Sequence, residues 1–139
     1  MGKTIMLGEL GEIEKKLLAA AKKDFPEEFH EFVKQVASEI MERAAKKTPV
    51  KTTRLKEGWE FEVLKDGDGF TIKIINPVEY AEHVEYGHRI VRKEGASEGK
   101  QLFVPGVHML EKALMETFAE MPEFIGNWLE DFTKKHILD

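Results

Sequence analysis

Residues 59–74 read Trp59-Glu60-Phe61-Glu62-Val63-Leu64-Lys65-Asp66-Gly67-Asp68-Gly69-Phe70-Thr71-Ile72-Lys73-Ile74, and this stretch decides the fold. Trp59, Phe61 and Val63 alternate with Glu60 and Glu62, the period-two pattern of a strand with one buried face. Phe70, Ile72 and Ile74 alternate in the same way with Thr71 and Lys73. Between them, Asp66-Gly67-Asp68-Gly69 supplies glycines that take positive φ at no steric cost. The pattern predicts a β-hairpin as the nucleus of the core. Trp59 is expected to pack between the hairpin and a long helix.

Beyond the hairpin, the chain continues Asn76-Pro77-Val78-Glu79-Tyr80-Ala81-Glu82-His83-Val84-Glu85-Tyr86-Gly87-His88-Arg89. Asn before Pro is a helix-start signal, because proline presets φ and lacks only an N–H that would be orphaned anyway. A helix beginning at Pro77 would gather Val78, Ala81 and Val84 on one face and Glu79, Glu82, His83 and Tyr86 on another. Gly87 is placed to end it. Upstream, Leu10 to Lys23 is rich in helix formers, and Asp24-Phe25-Pro26 breaks and restarts the helical pattern. Phe29, Phe32, Val33, Val36, Ile40 and Ala44 then keep a helical period to about Ala45, the clearest in the chain. This helix is the natural cover for the hairpin.

Between Lys46 and Lys56 stand Lys46, Lys47, Lys51, Arg54 and Lys56 with no acid before Glu57. Two readings stay open: a docking surface for an acidic partner or phosphate, or helix-dipole complementarity plus a solvated loop. His88 to Gln101 mixes Gly, Ser and charge without apolar period after Val91, which predicts a mobile loop over about 88–101. Leu102-Phe103-Val104 reads as a short third strand stopped by Pro105-Gly106. Met109, Leu110, Ala113, Leu114, Phe118 and Met121 define a helix that Pro122 is expected to interrupt. Phe124, Ile125, Trp128, Leu129 and Phe132 resume the pattern. The fold class is therefore α+β: a small antiparallel sheet built on the hairpin, flanked by the long helix and C-terminal helices, with residues 1–139 as one domain.

A length of 139 residues and 42% hydrophobic content suit a globular domain rather than a disordered chain. The net charge of −5 argues against general nucleic-acid binding. Zero cysteines exclude disulfide and thiol chemistry and suit a reducing compartment. No apolar run reaches the ~20 residues of a membrane span, and the first residues lack a signal-peptide pattern. The expectation is a soluble protein with no membrane association.

Chemistry finds little support. His83 and His88 with Glu79, Glu82 and Glu85 suggest a metal, but the histidines are five apart with Gly87 between them, off the i, i+4 spacing of a helical zinc pair. Ser38 and Ser97 are the only serines, one in a helix and one in the predicted loop, and neither is a rigid, oriented nucleophile. No phosphate-binding glycine loop or nucleophile elbow is present. No cofactor is expected, and an enzyme is not the reading.

Three blocks taken together resemble a known family. Thr48-Pro49-Val50-Lys51-Thr52-Thr53-Arg54-Leu55-Lys56-Glu57-Gly58-Trp59 resembles its T/A-P-V-D-T-G-R-L-R-x-S-W block, with Lys51 for Asp and Thr53 for Gly. Asn76-Pro77-Val78-Glu79-Tyr80-Ala81 through Val84-Glu85-Tyr86-Gly87-His88-Arg89 resembles N-x-V-x-Y-A-x-x-V-E-Y-G-T/H-R. Val104-Pro105-Gly106 through Met109-Leu110 resembles the lead into the C-terminal helix. The blocks cover about two thirds of the chain in order, and the family is the gene-product-ten-like tail component of HK-type long-tailed phages and prophages.

The resemblance implies a non-enzymatic virion protein of the phage neck or head-proximal tail, made in the host cytoplasm and acting in tail completion or head–tail joining. A ring of identical copies, with a hexamer among the options, would contact neighbouring neck and tail-tube proteins and could pass DNA without reading its sequence. The alternatives are a tail terminator capping the tube and, from another class, a small metal-dependent hydrolase or toxin. Arg54, Glu79, Glu82, Glu85, Tyr86, Arg89 and Arg92 are the subunit-interface candidates. An acidic face of Glu79, Glu82 and Glu85 would meet arginines on a neighbour, and Tyr and Arg would serve as anchors.

Overall fold

A computed structural model describes residues 2–3, 12–49, 53–67, 69–91 and 101–136. The elements run β1 (Gly2–Lys3), α1 (Glu12–Asp24), α2 (Pro26–Lys47), α3 (Thr53–Glu57), β2 (Glu60–Asp66), β3 (Gly69–Ile75), α4 (Ala81–Tyr86), β4 (Gly87–Val91), β5 (Gln101–Pro105) and α5 (Met109–His136). Helices and two small antiparallel sheets make the α+β class read from the pattern.

The hairpin forms in the expected register. Phe61 pairs with Ile74 and Val63 with Ile72, so the apolar side chains of both strands share one face. Gly67 takes φ 60° in the turn. Ile72 and Ile74 are buried and Phe61, Val63 and Phe70 pack against the same core. Helix α2 lies on this face, presenting Phe29, Phe32, Val36, Ala37, Ile40 and Ala44. Trp59 is buried just before β2, and its Nε1–H donates to Thr48 Oγ1 at 2.9 Å. Thr48 Oγ1 in turn donates to the Ala44 carbonyl at 2.8 Å. The C-terminus of α2 and the start of the hairpin are tied together by that chain of bonds.

Helix α5 runs antiparallel to α2. Lys47 pairs with Glu116 at 2.7 Å, Arg43 pairs with Glu120, and Glu28 near the start of α2 meets His136 at 2.8 Å. Pro122 does not divide α5 as the sequence predicted; the helix is continuous for 28 residues. An interior proline costs about 3 kcal/mol. The buried row Ala113, Leu114, Thr117, Met121, Ile125, Leu129 and Phe132 spans the proline on both sides. At about 1.5–3 kcal/mol per buried large apolar side chain, that row outweighs the missing bond.

Three further expectations change. Pro77 is not the first residue of a helix: α4 starts at Ala81. Asn76 instead folds back locally, with Oδ1 accepting from Val78 N at 3.2 Å and Nδ2 donating to the Leu55 carbonyl at 2.7 Å. His88 to Val91 is not loop but strand β4, paired with β5 from Gly87↔Pro105 to Val91↔Gln101. Residues 92–100 of the predicted mobile loop lie outside the described residues. Leu102–Val104 is a strand, but it joins β4 in a second sheet; Gly2–Lys3 is the third strand of the hairpin sheet, on the β3 edge. A short polar dipeptide carries no periodicity, so β1 had no signal. Finally, Thr53 opens α3, and His108 is the only positive-φ non-glycine among the described residues. The Thr at this position meets no steric conflict.

Candidate assembly interface

The six interface candidates among the described residues do not form one surface. Arg54 on α3 and Glu79 before α4 pair with each other inside the chain, Nη1 to Oε1 at 3.0 Å and Nη2 to Oε2 at 3.2 Å, with both side chains mostly exposed. The Glu79 carboxyl is held below the usual glutamate range, first by a backbone N–H of its own and then by the Arg54 guanidinium. A carboxyl depressed by folding adds stability above its unfolded pKa and loses that contribution as pH falls through the folded value. In so exposed a pair the contribution is small. Arg54→Ala is expected to raise the Glu79 midpoint in a carboxyl-carbon NMR titration, but not fully to the ordinary value, because the backbone donor stays. An unmoved midpoint would mean the pair does not hold in solution.

Glu85 is the clearest correction. It is 1% exposed and takes no part in an acidic outer face. Its Oε1 accepts from Leu110 N at 2.8 Å and its Oε2 from Glu111 N at 3.1 Å. Both donors belong to the first turn of α5, where N–H groups have no intrahelical partner and the helix dipole favours negative charge. The backbone reinforces the junction: Val107 N donates to Val84 O at 2.7 Å and His108 N to Glu85 O at 3.1 Å. The assumption that glutamates of a short helix face water failed because α5 lacks a local cap. Pro105-Gly106-Val107-His108 contains none of the Ser, Thr, Asp or Asn that cap helices. That gap leaves the first N–H groups of α5 to water or to a distant acceptor, and the sequence does not say which.

Gly87 and Gly106 complete the junction. Gly87 has φ 84°, and a Cβ there would strike the Val104 carbonyl and Gly106 N; a Cβ on Gly106 would strike the Glu85 carbonyl and Gly87 N. The two backbones cross at contact distance, which glycine alone permits. Of the other candidates, Glu82, Tyr86 and Arg89 are exposed, with Tyr86 at 54%. Arg92 lies outside the described residues. The basic segment also disperses: Lys47 serves Glu116 and Arg54 serves Glu79, while Lys51 is outside the described residues.

Ligand-type clusters are few. Among the described residues one trio, Glu85, His108 and Glu111, brings a potential ligand atom from each within 4.8 Å. Both Glu85 oxygens are already engaged by helix N–H groups, and the positive end of the α5 dipole lies there, so the trio reads as a helix cap. His83 and His88 stack, ring centres 5.1 Å apart, and among the described residues they form no ligand trio with the glutamates that the sequence put beside them. An apolar groove of about 420 Å³ between α1, α2, β3 and α5 has Lys15 and Lys22 as the only ionisable residues lining it among the described residues. Among the described residues no acid, base and nucleophile converge in it.

What sequence reasoning missed is apolar and exposed. Phe103 is 62% exposed and Met115 64%, and Leu102 and Val104 are also open to solvent. Phe103 sits on an arm, β4–β5, whose substantial neighbour besides itself is α4. No described helix is long and apolar enough to cross a membrane. No curated protein and no solved structure matches the chain. Residues 11–87 match the model of a family described as "Bacteriophage HK97-gp10, putative tail-component". That match spans the α1–α2 pair, the Trp59 clamp, the hairpin and the Glu85–Gly87 junction. The chain belongs to the HK97 gp10-like family of phage tail components, which are structural proteins of the virion.

Proposed function

We propose that the protein is a non-enzymatic subunit of the phage neck or head-proximal tail, a single domain that acts in tail completion or head–tail joining as a ring of identical copies. Membership of the tail-component family over residues 11–87 carries this reading. The geometry supports it: the distinctive polar and glycine residues Thr48, Trp59, Asn76, Glu85 and Gly87 hold the domain together. What remains for function is surface, as suits a part whose work is contact. Neighbouring neck and tail-tube proteins are its partners, and DNA would pass the ring without sequence-specific contacts. Glu82, Tyr86 and Arg89, all exposed, are the interface candidates that keep their place from the sequence; Arg54 and Glu79 would have to exchange their internal pair for an external one.

The test is deletion of the gene from the phage that carries it, with complementation from a plasmid. Heads and tails that accumulate separately, or tails of abnormal end structure, are the expected phenotype, with the protein found by mass spectrometry in complemented particles. Infectious, tailed particles formed without the protein would overturn the reading. The charged-face version must now use Glu79→Lys with Glu82→Lys, since a lysine at buried Glu85 would disrupt the fold itself. Full complementation by that double variant would remove these two glutamates from the interface.

A further inference from the structure

Two exposed patches on different sides of the chain match each other. The first is the β4–β5 arm. Cross-strand pairing of Arg89 with Phe103 places both side chains on one face of this two-stranded sheet. The described arm, residues 86–91 and 101–105, contains no acid. Two strands alone make a marginal unit in water, and Phe103 in the open is an aromatic of the kind that anchors interfaces. The second patch is the outer face of α5. Glu111, Met115, Ala119 and Glu123 stand four residues apart, all exposed, so they form one row along the helix. Glu116 and Glu120 on this face already pair with Lys47 and Arg43, so the acids that bracket the apolar pair Met115 and Ala119 for a partner are Glu111 and Glu123, at the two ends of the row.

We propose that the arm of one subunit docks head-to-tail on the outer face of α5 in the next copy of this chain, with Phe103 on Met115 and Ala119, and Arg89 among the flanking glutamates. Three observations select a second copy as the occupant. The arm is cationic and aromatic while the α5 row is acidic and apolar, so charge and chemistry are complementary across the pair. A thioether against an aromatic ring is a favourable contact in its own right. The two patches are also unlike, which makes the contact heterologous, the kind that closes into rings when the rotation permits. The Glu85 cap and the Gly87–Gly106 crossing fix the root of the arm against the start of α5, so the angle between donor and acceptor patches is set within each subunit. This inference rests on the ring reading above and specifies its contact.

The experiment places the photoreactive phenylalanine analogue p-benzoylphenylalanine, larger than phenylalanine by a para benzoyl group, at the exposed position 103. The purified protein over a range of concentrations and particles assembled in infected cells are both irradiated, and crosslinks are mapped by mass spectrometry. Intersubunit links from 103 to residues 111–123 are expected, since methionine reacts well with the probe. Links only to the arm of a second copy, only to a different virion protein, or absent from both samples would overturn the proposal. A particle that contains the protein but lacks the 103–α5 link sinks this contact and leaves the neck-or-tail role intact. Absence of the protein from particles sinks the role, while the purified sample still decides the contact.

Two variants give a second readout. Phe103→Asp removes the donor patch and Met115→Glu the acceptor, and both residues are exposed, so circular dichroism melts should stay at the wild-type value. Each is expected to weaken self-association by at least about 30-fold, the scale of an interface hot spot. Mixed together, they retain one good donor and one good acceptor and should form a dimer that goes no further. Self-association undiminished in Met115→Glu would count against α5 as the acceptor.

Discussion

Replacing Glu85 with alanine is expected to destabilise the domain by about 2–4 kcal/mol in a chemical melt. Each hydrogen bond to a charged group contributes roughly 1.5–3 kcal/mol, and a buried donor left without a partner costs about 1–3 kcal/mol. Glu85 holds two such donors, Leu110 N and Glu111 N, at 2.8 and 3.1 Å. The full sum is not expected, because water can reach the end of a helix once the side chain is gone. Loss should be localised before it is global: amide exchange at Leu110 and Glu111 should quicken in the variant more than at the centre of α5. Glu85→Gln keeps the shape and one acceptor oxygen, so it should retain part of the stability. A loss under about 1 kcal/mol for the alanine variant would mean that α5 is capped by solvent and that the junction is held by backbone bonds alone.

Trp59→Ala should cost about 3–5 kcal/mol, the range for truncating a large buried aromatic. Trp59 is 6% exposed and belongs to the core cluster with Phe32, Ile40, Leu55, Ile74 and Met109. Its second role is the bond to Thr48, and Trp59→Phe separates the two. The phenyl ring keeps much of the apolar contact and gives up Nε1–H, so about 1–2 kcal/mol of loss is expected from the broken bond and the smaller ring. A double-mutant cycle with Thr48→Ala should return a positive coupling energy, since the two side chains meet at 2.9 Å. Additive losses would show that the indole is held by packing only. Both substitutions leave the arm and the outer face of α5 untouched. Assembly defects from them should therefore track the fraction unfolded, whereas defects from Phe103→Asp should not.

Much of this protein is determined by local pattern. The hairpin was legible because period-two alternation survives in any context where one sheet face is buried, and Phe61, Val63, Ile72 and Ile74 obey it. Helix α2 was legible because its 3.6-residue stripe, from Phe29 to Ala44, needs no knowledge of what it packs on. The family was legible because motif blocks are properties of the linear chain. The tertiary structure decided the rest, wherever the deciding energy came from residues far apart. Pro122 looked like a helix end, since its local cost is fixed and the compensating burial against α2 is invisible from the neighbouring residues. The run Leu102–Val104 could be read as a strand but not assigned a partner, because pairing with His88–Ile90 closes a loop that no periodicity specifies. Glu85 looked like one more surface acid on a short amphipathic helix. Only the fold shows that it is buried, because the groups that stabilise its carboxylate are backbone N–H groups 25 and 26 residues further on, and backbone amides carry no mark in a sequence.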